Sequence, residues 1–142
     1  MDVEKILFDY KTLREHSEGL VCLSGCLAGE IPQRIISGQY EQARERALEL
    51  REHFGDDFYL EIQRHGIAEE DEAARGLIRL HRETGIPLAL TNDAHYIDRS
   101  DAYSQDVLMC IQTGKTVDEA ERMRFETQEF YLKSEEEMRA LF

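Results

Sequence analysis

The 142-residue chain contains no tryptophan and only two prolines, Pro32 and Pro87. With so few helix breakers, most of its length is open to regular secondary structure. Its cysteines number three, Cys22, Cys26 and Cys110, an odd set without C-x-x-C spacing. A disulfide scaffold is excluded and a reducing, cytoplasmic setting is expected. No apolar run approaches the ~18–20 residues of a membrane span. The start of the chain, Met1 to Lys5, lacks a basic region followed by an apolar one, so neither secretion nor membrane insertion is expected. Cations are also scarce: 17 Lys and Arg stand against 30 Asp and Glu, a net charge of −13. Non-specific nucleic-acid binding rests on cations displacing counterions from phosphates, so most of this surface is unfit to grip DNA. No repeat, low-complexity tract or Pro/Gly/Ser-rich linker divides the sequence, and residues 1–142 read as one unit.

What is present suits a folded core, with 42% hydrophobic and 33% charged residues. A short helical lead-in from Asp9 to Ser17 is followed by a break at Gly19 and an apolar strand, Leu20 to Leu23. Ile31 to Ile36 reads as a short helix that tolerates Pro32 in its first turn and stops at Gly38. Tyr40, Ala43, Ala47, Leu50 and Phe54 then recur at helical spacing up to Gly55. Phe58 to Ile62 is the second strand. Ala73, Leu77 and Leu80 mark the next helix, with Gly85 as its stop and Ile86 to Leu90 as a third strand. A helix from near Ser100 to Thr113 is expected to carry Tyr103, Val107, Cys110 and Ile111 on one side. Phe130 to Leu132 reads as a short extended piece, and Ser134 with Glu137 as a capping box.

Strands separated by single helices imply a parallel sheet and an α/β fold. A complete barrel of this kind takes about eight strand–helix units and ~250 residues. Three strands are too few, so part of a larger α/β barrel-like domain is expected.

In such sheets, sites form where the chain leaves the C-terminal ends of the strands. The segments that follow the three strands deliver Cys26, then His65 with Glu61 just behind it, then Asp93 and His95. Asp93 and His95 are two positions apart, so in extended backbone both reach one ion; the competing reading is a turn capped by Asp93. Cys26 offers a soft thiolate suited to Zn²⁺, or else a small buried hydrophobe. His65 reads as a ligand, a general acid, a phosphate contact or a backbone-bonded loop histidine. Cys22 and Cys110 belong to the core, while His16, His53 and His81 lie on charged helical stretches and read as solvated. Gly114-Lys115-Thr116 lacks the earlier glycine of a phosphate-binding loop and follows a helix rather than a strand. Glu135-Glu136-Glu137 is a favourable charge arrangement at a helix start.

Several longer motifs occur in a characteristic order: Leu23-Ser24-Gly25-Cys26-Leu27-Ala28-Gly29-Glu30, Gln63-Arg64-His65-Gly66 and Thr91-Asn92-Asp93-Ala94-His95-Tyr96. Cys110 to Thr116, Arg124 to Thr127 and Glu129 to Ser134 follow them. From about Leu13 to Phe142 the chain resembles bacterial DNA polymerase III alpha subunits, in the later part of their N-terminal polymerase-and-histidinol-phosphatase (PHP) domain. The resemblance implies a partial distorted β/α barrel. It also implies a site holding zinc or manganese, with Cys26, Asp93 and His95 as metal ligands and His65 as a neighbour. The family's earlier ligands, beginning with an H-x-H, have no counterpart in this sequence, nor do the polymerase palm, thumb and fingers. A fragment of an alpha subunit, inactive alone, is therefore expected. The parent implied is a magnesium-dependent, template-directed DNA polymerase acting on DNA and dNTPs. Its implied partners are the rest of the alpha chain and the holoenzyme subunits, including a proofreading exonuclease. The module itself is expected to hydrolyse 3′-terminal phosphodiesters or to serve as a structural and docking support. A free-standing metal-dependent phosphoesterase of the PHP superfamily is the alternative.

Overall fold

A computed structural model describes residues 10–142. The expected helix start at Asp9 and the stretch Met1 to Lys5 lie outside them. The element order is α1 (Tyr10–Glu15), β1 (Cys22–Leu23), α2 (Glu30–Ile36), α3 (Tyr40–Phe54), β2 (Phe58–Ile62), α4 (Ala68–Thr84), β3 (Leu88–Leu90), α5 (Ala102–Thr113) and α6 (Glu135–Leu141). Short 3₁₀ turns precede β2 and α5. Among the described residues the strands form one parallel sheet in the order β1-β2-β3. This is the expected partial α/β arrangement of parallel strands alternating with helices.

β2 is the centre of the sheet. It pairs Phe58 with Cys22 on one side and Leu60 with Leu88 on the other. Its residues alternate: Phe58, Leu60 and Ile62 are buried, whereas Tyr59 and Glu61 are half-buried. The buried set packs with Ile31 and Ile35 of α2, Ala43, Ala47 and Phe54 of α3, and Leu77 and Leu80 of α4. Ile86, just before β3, joins them and is fully buried. α2 and α4 approach closely because Gly76 leaves room for Ile35; a Cβ on Gly76 would lie 2.4 Å from Ile35 Cγ2.

The first strand departs from expectation. Only Cys22 and Leu23 pair, and Val21 is 65% exposed. Among the described residues β1 pairs with β2 alone, so there the apolar run is covered on one edge. α5 also turns differently: Met109 and Cys110 are buried, while Tyr103 and Ile111 are exposed. His53 and His81, expected in solvent, are half-buried, and His81 Nδ1 lies 2.7 Å from the Ile86 carbonyl oxygen. His16 is exposed, as expected. Phe130 to Leu132 is extended and Tyr131 bridges to Tyr96 in parallel fashion. The α6 capping box forms, with Glu137 N–H donating to Ser134 Oγ at 3.2 Å and Ser134 N–H to Glu137 Oε2 at 2.8 Å.

Gly29, at the N-terminus of α2, has an ordinary φ of −65°, yet a Cβ there would lie 2.5 Å from the Ser24 carbonyl oxygen. Because that neighbour is backbone, it cannot rotate away. Gly29→Ala is expected to cost about 1–3 kcal/mol through overpacking, read as a lowered urea midpoint with unchanged slope. An unchanged midpoint would show that the loop after β1 is looser than this packing requires.

Candidate functional site

The strand polarity places Cys26, His65, Asp93 and His95 all beyond the C-terminal ends of their strands, at one edge of the sheet. The edge is held together by Glu61. Its carboxylate accepts hydrogen bonds from the Gly25 N–H at 3.1 Å, from Gln63 Nε2 at 2.9 Å and from the Thr91 hydroxyl. The Glu61 N–H donates in turn to Ser24 Oγ at 2.8 Å. Thus one side chain on β2 ties the loop that follows β1 to the loop that follows β3. Beside it, Gly25, Cys26, Pro32, Glu61 and Leu77 line a cavity of about 20 Å³, room for a single water rather than a substrate.

Beyond β3, Asp93 takes a left-handed φ of 43°, a conformation that Asp tolerates better than most residues. The turn brings Asp93 Oδ1 within 3.4 Å of His95 Nε2, both side chains being about a third exposed. The His95 ring lies 4.7 Å from that of Phe125 and 5.9 Å from that of Phe130. His95 N–H donates to the Phe130 carbonyl at 2.8 Å, which fixes the turn against the 129–132 segment.

Asp93 and His95 are therefore brought together, but Cys26 does not join them. Among the described residues, no three His, Cys, Asp or Glu side chains are grouped as a metal requires. Of the expected ligand set, Asp93 and His95 lie together. Cys26 follows β1 and the pair follows β3, with β2 between them.

His65 is the most constrained residue of the edge. It is 1% exposed, with Nδ1 at 2.5 Å from Glu70 Oε1 and Nε2 at 2.7 Å from the Asn92 carbonyl oxygen. Both ring nitrogens are consumed, which leaves none for an ion or a substrate. Burial alone would push the imidazole pKa down, but the Glu70 carboxylate and the Asn92 carbonyl outweigh it and hold the pKa above its ordinary value. Burial also works against the Glu70 carboxylate. Its hydrogen bonds from the His65 ring and backbone prevail and hold its pKa below the ordinary range. Glu70 stands in the acidic first turn of α4, where its sequence signal is indistinguishable from ordinary helix-dipole preference.

The sequence model of the PHP domain matches residues 2–65, a stretch that contains Cys26 and ends at His65. The chain is 46% identical over 134 residues to the DNA polymerase III subunit alpha of Borreliella burgdorferi, covering 94% of this chain and 12% of that protein. It is likewise 46% identical over 135 residues to that of Treponema pallidum, with coverage of 94% and 12%. To that of Thermus aquaticus it is 44% identical over 138 residues, with coverage of 97% and 11%. The chain thus spans about an eighth or less of the length of these relatives.

Proposed function

From a chain that carries PHP-domain sequence and has DNA polymerase III alpha subunits as homologues, we propose a segment of a replicative DNA polymerase alpha subunit, set within its PHP domain. The observation that carries this reading is the match of 94% of the chain, at 46% identity, to one short stretch of such a subunit. In the parent, template-directed transfer of nucleotides from dNTPs to a DNA 3′ end, with magnesium, belongs to parts outside this segment. The segment's own contribution is to brace the polymerase within its holoenzyme and to offer a face to other subunits, a proofreading exonuclease among them. Three features support bracing over hydrolysis by this segment alone. Glu61 is spent on loop-to-loop hydrogen bonds. Both ring nitrogens of His65 are consumed inside the fold. Among the described residues, Cys26 does not group with Asp93 and His95 as a three-ligand set. No helix among the described residues is long and apolar enough to cross a membrane.

The isolated chain is expected to show no primer extension, no hydrolysis of a 3′-labelled oligonucleotide in Zn²⁺ or Mn²⁺, and no salt-sensitive affinity for duplex DNA. The last follows from its charge of −13, which opposes counterion-driven binding. Fluorescence anisotropy and gel assays on one preparation test all three. Oligonucleotide turnover abolished by His95→Ala would contradict bracing and favour a self-sufficient phosphoesterase.

A further inference from the structure

A neutral imidazole carries one N–H and can donate to one acceptor only. His65 faces two: the Glu70 carboxylate at Nδ1 and the Asn92 carbonyl oxygen at Nε2. The carboxylate is itself kept ionised by the His65 backbone N–H, which donates to Glu70 Oε2 at 2.6 Å, and by that of Ile67 at 3.4 Å. Both acceptors are satisfied when the ring carries two protons and the pair is imidazolium and carboxylate. We propose that His65 and Glu70 form a buried ionic clamp that positions the Asn92–Tyr96 turn, and with it the Asp93–His95 pair. His65 is thereby a positioning residue, not a catalytic one. Its importance for a site rests on the PHP reading above, but the clamp itself does not.

The chain of contacts runs outward from the ring. Nε2 fixes the Asn92 carbonyl, while Asn92 Nδ2 donates to the carbonyls of Glu129 at 2.9 Å and Tyr131 at 2.7 Å. The Phe130 ring stacks on His65 at 3.9 Å with the planes 11° apart. Leu132 N–H donates to the Tyr96 carbonyl at 3.0 Å. The other charged group acting on His65 is Lys133, whose ammonium opposes protonation; its neighbour Glu129, 3.2 Å away, offsets that charge. From α4 comes Glu70, from the turn the Asn92 carbonyl, and from the 129–133 segment Phe130, Lys133 and Glu129.

The pH behaviour follows with a definite sign. The raised His65 pKa makes its contribution fully present below the ordinary histidine value of ~6.5 and lost as pH rises through the folded value. The lowered Glu70 pKa makes its contribution present above ~4.3 and lost as pH falls through the folded value. The clamp is therefore tightest between those two ordinary values and loosens as pH rises through the raised folded value of His65.

The test is ¹⁵N ring spectroscopy of the whole chain, with amide exchange at His95 and Leu132 referenced to Leu60 in the core. In the wild type, His65 is expected to keep both ring protons at a pH above the ordinary histidine value of ~6.5. Glu70→Gln preserves the shape, because its amide can donate to Nδ1 and accept from the His65 backbone. Its His65 should be neutral, with the proton on Nε2, and the turn should lose its extra pH dependence while staying ordered. Glu70→Ala and His65→Phe should speed exchange at His95 and Leu132 by roughly tenfold or more relative to Leu60. A His65 that loses a ring proton at or below the ordinary histidine value of ~6.5 overturns the proposal, and so does Glu70→Ala with unchanged exchange at His95. The wild-type spectrum decides even if a variant fails to fold, and none of these outcomes depends on polymerase or hydrolase activity.

Discussion

Phe58→Ala is expected to remove about 3–5 kcal/mol of folding free energy, the cost of emptying a large aromatic site in a packed core. Phe58 is 0% exposed and opens β2, where it pairs with Cys22. It belongs to the cluster that joins β2 to α2, α3 and α4. The cavity left behind cannot be refilled by a neighbour without loosening the helix contacts that position β2. Domains of this size have only ~5–15 kcal/mol in hand, so the variant should unfold at a much lower urea concentration, or be partly unfolded in buffer. Ile111→Ala, on a side chain 72% exposed on α5, should stay within ~0.5 kcal/mol of the wild type. Similar losses in the two variants would show that the core does not lie under β2.

Glu61→Ala should be nearly as costly, about 2–4 kcal/mol, although it removes no apolar surface of note. Three donors converge on this carboxylate: Gly25 N–H, Gln63 Nε2 and the Thr91 hydroxyl. Alanine leaves the Gly25 N–H and the Thr91 hydroxyl without this acceptor in a part-buried setting, while Gln63 Nε2 keeps Thr91 Oγ1 at 3.3 Å; each orphaned donor costs ~1–3 kcal/mol where water cannot replace the partner. Glu61→Gln should fall between, since its amide offers one acceptor oxygen in place of two. Urea unfolding gives the free energies. Shifts in the Cys26 and His95 resonances should show the two loops moving together in Glu61→Ala. Wild-type stability in that variant, with both loops undisturbed, would show that the edge is held by the strands alone.

Much of the fold was legible because local pattern and tertiary burial agree. β2 runs over the expected Phe58–Ile62, and α3 buries the Ala43, Ala47 and Phe54 read from helical spacing. Gly85 and Gly114 stop their helices in left-handed conformations. The failures share one cause: the deciding partner is distant in sequence. Leu20 and Val21 carry strand composition but stay exposed, while Cys22 and Leu23 pair with β2. At the candidate site, strand polarity placed the four residues on one edge. It could not show that Glu70 and Asn92 occupy the His65 ring. Side-chain pairing across 27 residues leaves no periodic trace in a sequence.

The central claim, that this chain is a PHP-domain segment of a polymerase alpha subunit, is tested most directly by exchange. In the Borreliella burgdorferi subunit, the 134 aligned residues are replaced by this chain, and primer extension is measured on the purified, folded chimera. If the segment braces the same scaffold in the same way, synthesis should remain within about tenfold of the parent, a change of ~1.4 kcal/mol or less. A folded chimera with no primer extension, beside an isolated chain that hydrolyses oligonucleotides, would contradict the account.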